Sequence, residues 1–250
     1  MRYLGIKPKT PRIAVFDFTC CEGCELQFAN KEETLPAFLR AVEIVNFREI
    51  SSERRDDYEI AFIEGSISRD DEVVRLEGVR KKAKVLVALG TCACFGGVNR
   101  MKNAYDLDAA NKQVYGDRPK PTLPVRAVHE VVPVDLQIPG CPVSKAEVER
   151  IVQHLVLGVP YNFPAYPVCV ECKQRYNVCL WDKGIPCLGP ISLAGCNAPC
   201  PSAGLGCYGC RGPAPDPNLR EIYETARTHG VSDAEIQERL HFFGGFEGLS

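Results

Sequence analysis

The chain has 250 residues, 45% of them hydrophobic, and a formal net charge of −2. That length accommodates one or two domains with a packed core. The balanced charge excludes the basic footprint of a nucleic-acid-binding protein, and no apolar run approaches the roughly 18 residues that a membrane span requires.

Taken in chain order, the front half alternates strand and helix signals. Residues 13–18 (Ile-Ala-Val-Phe-Asp-Phe) read as a buried strand. Leu35, Phe38, Leu39 and Val42 recur at helical spacing and predict a helix over 32–42. Strands are expected at 43–47, 59–65 and 84–90, with a charged helix over 70–82 between the last two. A fifth strand at 135–140 precedes a helix over 144–157, where Ser144 and Glu147 stand at capping-box distance. Strands alternating with helices imply an α/β fold, a parallel sheet covered on both faces. From Val159 onward this periodicity vanishes and ten prolines lie between positions 160 and 217. Helical patterning returns in the tail, where Ser232 and Glu235 form a capping box ahead of Ile236 and Leu240. Phe242, Phe243 and Phe246 fit a subunit contact or this chain's own surface equally well.

Fourteen cysteines are the strongest chemical signal. Disulfides belong to oxidising compartments and small domains, whereas Met1 to Ile6 opens no secretory signal pattern and Arg54-Arg55 is internal, so a cytoplasmic chain is expected. Structural zinc favours two C-x2-C pairs, often with histidine. Cys169/Cys172 with Cys207/Cys210 could be forced into that pattern, but four neighbouring cysteines would stay unexplained and none of the four histidines lies among them. Iron–sulfur clusters fit the count better, because each cubane takes four thiolates.

Placement supports that choice. Cys21 and Cys24 follow the first predicted strand, Cys92 and Cys94 the fourth, and Cys141 the fifth. In open α/β sheets ligands sit outside the carboxyl ends of the strands, so these thiols converge on one sheet edge. Gly23, Gly90, Gly96, Gly97 and Gly140 stand beside them, where glycine allows close backbone approach. The back half reads Cys169-x2-Cys172-x6-Cys179-x7-Cys187, then Cys196-x3-Cys200-x6-Cys207-x2-Cys210. That divides into two sets of four, although interleaved ligation fits the spacing too. So few apolar residues could hardly build a core alone, and metal–ligand bonds can supply the missing folding energy.

Several stretches together resemble the small, electron-transferring subunit of nickel–iron hydrogenases: Cys21-Glu22-Gly23-Cys24, Gly90-Thr91-Cys92-Ala93-Cys94-Phe95-Gly96-Gly97, Pro139-Gly140-Cys141-Pro142, Cys187-Leu188-Gly189-Pro190 and Cys207-Tyr208-Gly209-Cys210. The likeness spans roughly residues 11–213 in the family's order. It implies a flavodoxin-like domain over 1–160, without flavin, and an irregular iron–sulfur domain over 161–250. It also implies three 4Fe–4S clusters: a proximal one on Cys21, Cys24, Cys92 and Cys141, a medial one on Cys196, Cys200, Cys207 and Cys210, and a distal one on Cys169, Cys172, Cys179 and Cys187. Many members place histidine first in the distal set and hold a three-iron medial cluster; here Cys169 and a fourth medial cysteine stand instead. An all-thiolate set favours low potentials, which is similar to cytoplasmic sulfhydrogenases and viologen-reducing hydrogenases.

The resemblance places nickel and iron in a separate large subunit, so this chain alone is expected to be non-catalytic. Its other expected partner is a diaphorase-like, ferredoxin-like or other electron-accepting subunit; neither nucleic acid nor a membrane span is expected. Cys20 and Cys94 are left over and read as small packed residues, and Glu22 and Glu25 as solvated charge. Two rivals remain: a complex I-type subunit with a single cluster, which Cys20-Cys21 mimics, and a non-redox zinc-bound scaffold.

Overall fold

The computed structural model describes residues 10–30 and 35–249. The chain forms two compact units, Met1–Tyr161 and Asn162–Ser250.

The first unit is built on five parallel strands: β1 (Arg12–Asp17), β2 (Glu43–Asn46), β3 (Ile60–Glu64), β4 (Val85–Leu89) and β5 (Leu136–Ile138). Their order is β2-β1-β3-β4-β5, the doubly wound arrangement of flavodoxin-like sheets. Helices α1 (Gly23–Ala29), α2 (Leu35–Ala41), α3 (Asp70–Lys82), α4 (Gly90–Phe95), α5 (Leu107–Tyr115) and α6 (Lys145–Leu157) fill the connections. Positions 32–34 of the helix expected over 32–42 lie outside the described residues. The other strands and helices expected in this unit match observed elements within one or two residues at each end.

Every residue of β3 and β4 is buried, as a central parallel strand covered on both faces requires. On one face Phe62 packs edge-to-face on Phe28, which also meets Phe38 and Phe47. On the other, Ala61, Ile63, Leu86 and Ala88 pack beneath Leu76 and Val79 of α3. Each such large apolar side chain contributes roughly 1.5–3 kcal/mol on burial, so this unit carries its own core.

The capping box expected at Ser144 is not formed. Ser144 occupies the N-cap position of α6 without a side-chain cap bond. Glu147 is fully buried instead and accepts from the Tyr161 hydroxyl at 3.5 Å, so its carboxylate faces inward rather than back to the helix start.

The second unit has no paired strand ladder among its described residues. Two short helices, α7 (Val168–Gln174) and α8 (Pro199–Ser202), carry cysteines, and α9 (Leu219–Thr228) and α10 (Asp233–His241) follow. Its core gathers Val168, Trp181, Leu188, Ile222, Ile236 and Leu240 around Cys187 and Cys207. The expected capping box of α10 is present, with Ser232 Oγ accepting from Glu235 N and Glu235 Oε2 accepting from Ser232 N. Phe246 is buried against Gly209, and Phe242 stacks on Tyr208 at 5.7 Å. The tail therefore packs on its own unit.

Candidate metal centres

Three loops at the carboxyl ends of β1, β4 and β5 bring Cys21, Cys24, Cys92 and Cys141 to one edge of the sheet. α1 begins directly after Glu22 and carries Cys24; α4 begins directly after β4 and carries Cys92; Cys141 lies three residues beyond β5. One backbone bond and one side-chain bond lock the last two loops together: Thr91 N donates to Gly140 O at 2.9 Å, and Gly140 N donates to Thr91 Oγ1 at 3.2 Å. Cys24 Sγ lies 3.9 Å from Gly140 O.

The glycines shape the space. A Cβ on Gly90 would stand 2.4 Å from Cys24 Sγ, and one on Gly97 2.7 Å from Cys92 Sγ. Both residues also hold positive φ, +87° and +61°, where a side chain is strained. Glycine is thus required there twice over, by space and by backbone.

Each thiol's ionisation is opposed by burial and by its neighbours. Burial, then Cys141 and Cys21, pushes the Cys92 thiol up to about 12. Burial and Glu64 raise Cys24 further, with Cys141 and Cys92 adding to the shift. Burial and Cys21 raise Cys141. Thiolates so placed are disfavoured without a nearby cation, and bound iron reverses that balance.

Glu64, the last residue of β3, is the organiser that sequence reasoning missed. It is buried, and its carboxylate accepts from Cys24 N at 3.1 Å and Glu25 N at 2.6 Å. It thereby caps the start of α1 from a neighbouring strand, satisfying amides that Glu22 leaves open. Glu22 is exposed, as expected, but Glu25 is a correction: it is 1% exposed, and burial followed by Glu64 pushes its carboxyl up to about 8. It falls on the inward face of α1, beside Cys24 and Phe28, which charge alone did not reveal. Cys94 is fully buried within the core and directs its Sγ toward Ala88 O at 3.7 Å. Cys20 is half-buried, and burial followed by Glu64 pushes its thiol up to about 12.

In the second unit, α7 presents Cys169 and Cys172, one turn apart. Burial, then Cys187, Cys172 and Cys179, pushes the Cys169 thiol up to about 12, so these four thiols lie near one another. A Cβ on Gly189 would stand 3.3 Å from both Cys169 Sγ and Cys187 Sγ. An open groove of about 640 Å³ at the edge of this set is lined by Cys169, Val170, Lys173, Gln174 and Tyr176.

The remaining four thiols are not gathered as evenly. Cys200 contributes to the raised value of Cys196, whereas Cys207 is raised first by Cys187 and then by Cys210, burial leading in both cases. Arg211, buried, donates from Nε to Ala194 O at 2.8 Å and opposes the rise at Cys196. Backbone amides point at sulfur: Cys207 N donates to Cys187 Sγ at 3.2 Å, and Gly209 N to Cys207 Sγ at 3.4 Å. No disulfide joins any of the fourteen cysteines. Among the described residues, no group of three or more His, Cys, Asp or Glu is gathered tightly enough for a single metal ion.

A doubly wound sheet with thiols at three strand ends, followed by a cysteine-built unit, defines an iron–sulfur redox subunit. Residues 21–155 match the family model of the NADH ubiquinone oxidoreductase 20 kDa subunit. The sulfhydrogenase 2 subunit delta of Pyrococcus furiosus is 38% identical over 240 residues, 93% of this chain and 98% of that protein. A subunit of the F420-non-reducing hydrogenase of Methanocaldococcus jannaschii is 28% identical, covering 80% of this chain and 81% of that one. A solved NAD+-reducing [NiFe]-hydrogenase chain superposes with a TM-score of 0.58 at 29% identity, over 62% of this chain and 96% of that chain. The [NiFeSe] hydrogenase of Desulfovibrio vulgaris Hildenborough shares the fold over 84% of this chain and 95% of its own, with a TM-score of 0.54 at 16% identity. The chain belongs to the family of nickel–iron hydrogenase small subunits, and it serves an oxidoreductase as part of a hydrogenase complex. Among the described residues no helix is long and apolar enough to cross a membrane.

Proposed function

We propose that this chain relays electrons between the nickel–iron site of a partner large subunit and a redox partner through three 4Fe–4S clusters. The observation that carries the reading is the grouping of the thiols: four at the sheet edge, and eight more in the second unit, where Cys169 and Cys187 face each other across Gly189 with Cys172 and Cys179 nearby.

In this reading Cys21, Cys24, Cys92 and Cys141 hold the proximal cluster, Cys196, Cys200, Cys207 and Cys210 the medial one, and Cys169, Cys172, Cys179 and Cys187 the distal one. Bound clusters supply reversible one-electron transfer at potentials set by their ligands and hydrogen bonds. The chain's own contribution is positional. Gly90 and Gly97 leave room beside the sulfurs, Glu64 fixes the start of α1, and the amides of Cys207 and Gly209 donate to sulfur. The groove beside Cys169 suits contact with an electron-accepting subunit of diaphorase or ferredoxin type, and the relatives named above support a hydrogenase assembly, which this reading places in the cytoplasm. The isolated chain does not turn over hydrogen, because all its grouped cysteines are used by clusters.

Iron and acid-labile sulfide analysis of the anaerobically prepared chain tests this. About twelve of each per chain are expected, four per cubane. About four irons would favour the single-cluster, complex I-type reading, and a colourless chain with stoichiometric zinc would favour the scaffold.

A further inference from the structure

We propose that Asn177 is a positioning residue that raises the reduction potential of the distal cluster and ties it to the medial cysteine segment, an assignment that rests on the three-cluster reading above. Its side-chain Nδ2 donates to Cys172 Sγ at 3.6 Å and to Ser202 Oγ at 3.0 Å. Cys172 belongs to one set of four thiols, and Ser202 lies two residues after Cys200 of the other.

The orientation of the amide is dictated by its neighbours. Ser202 Oγ donates its own hydrogen to Ala198 O at 2.8 Å, so toward Asn177 it can only accept. A thiolate ligand at Cys172 can only accept as well. The NH2 side of the amide must therefore face both, one hydrogen to each.

The termination of α7 sets where the amide stands. Tyr176 holds φ +57° with its ring 95% exposed, a conformation rare for a bulky residue. The turn is closed by Tyr176 N to Lys173 O at 2.9 Å and Asn177 N to Cys172 O at 3.3 Å. These two bonds form the αL cap that ends α7, and the residue that follows the cap is Asn177. Two further tethers join the same segments: Glu171 accepts from Gly195 N and Asn197 N, and Arg175 Nε donates to Asn197 Oδ1 at 2.8 Å.

A donor to a ligating sulfur stabilises the more negative, reduced cluster and so raises its potential. Asn177→Ala removes that donor, and Asn177→Asp replaces it with a negative charge, so both should lower the distal potential, the second more. The experiment is a paramagnetic-resonance redox titration of the assembled hydrogenase complex, with iron counted on the same samples. The expected result is a downward shift of the distal cluster alone, with the other two potentials and the iron content unchanged. Ser202→Ala, which keeps the amide but removes its anchor, should shift the same cluster by a smaller amount, and it serves if the Asn177 variants do not assemble. Unchanged distal potentials at full iron content overturn the assignment, as does an equal shift of all three clusters, which would mark a merely structural role. A parent that holds far fewer than about twelve irons overturns the three-cluster reading itself, and that outcome is visible before any variant is measured.

Discussion

The two units gather thiols by opposite means. In the first, a sheet with its own apolar core brings together residues 120 positions apart, from Cys21 to Cys141. In the second, sulfurs close in sequence pack into the core themselves: Cys187 and Cys207 stand among Trp181, Leu188 and Ile236. The first unit can therefore present a binding edge before any metal arrives, whereas the second uses its ligands as building material. Their ionisation in such a core is disfavoured until a bound cation compensates the charge.

Removing the metal should break that comparison open most widely. Chelating the iron under reducing conditions should leave the amides of β1, β3 and β4 strongly protected from hydrogen exchange, while protection across α7, α8 and the 187–210 segment collapses. Comparable loss in both units would show that the sheet too depends on its cluster.

Gly90→Ala tests the sheet edge on its own. Its methyl would stand 2.4 Å from Cys24 Sγ at a φ of +87°, and the backbone alone costs about 1–2 kcal/mol. The expected outcome is loss of the proximal cluster only, with iron falling from about twelve to about eight per chain and the fold retained by circular dichroism. Full iron content in this variant would mean that the thiols do not converge as described.

The smallest effect probes the first unit's independence from its metal. Burial works against the charge of Glu130, yet the Arg100 guanidinium, bonded to both carboxylate oxygens at 2.7 and 3.2 Å, holds its pKa below the ordinary value. A depressed carboxyl contributes stability above its unfolded pKa and loses it as pH falls through the folded one. Arg100→Met should therefore destabilise the first unit by about 1 kcal/mol at pH 7, with the gap in urea midpoint narrowing as pH is lowered toward 4. A gap that does not change with pH would assign the cost to packing against Gly96 instead.

Much of this was legible in the residues. Continuous apolar runs at 13–16, 60–63 and 85–89, inside the strands expected at 13–18, 59–65 and 84–90, read as buried parallel strands because both faces of such a sheet are covered. Glycines beside cysteines marked close approach, and at Gly90 and Gly97 the space is indeed closed by sulfur. Short helices were harder. α1, α4 and α7 span six or seven residues each, too few turns for periodicity to register.

The sequence by itself determined the inventory: parallel strands, thiols at their ends, an irregular cysteine-rich back half, and the family to which these belong; it underrated that half's apolar core, which Trp181, Leu188, Ile222, Ile236 and Leu240 build. Those properties are local or additive, carried by composition, spacing and motif. Only the tertiary structure decided that Glu25 is buried while Glu22 is not, that Glu64 caps a helix forty residues behind it, and that Asn177 bridges Cys172 and Ser202. Each depends on which face a side chain occupies once distant segments meet, and for a polar residue neither hydropathy nor spacing encodes that choice.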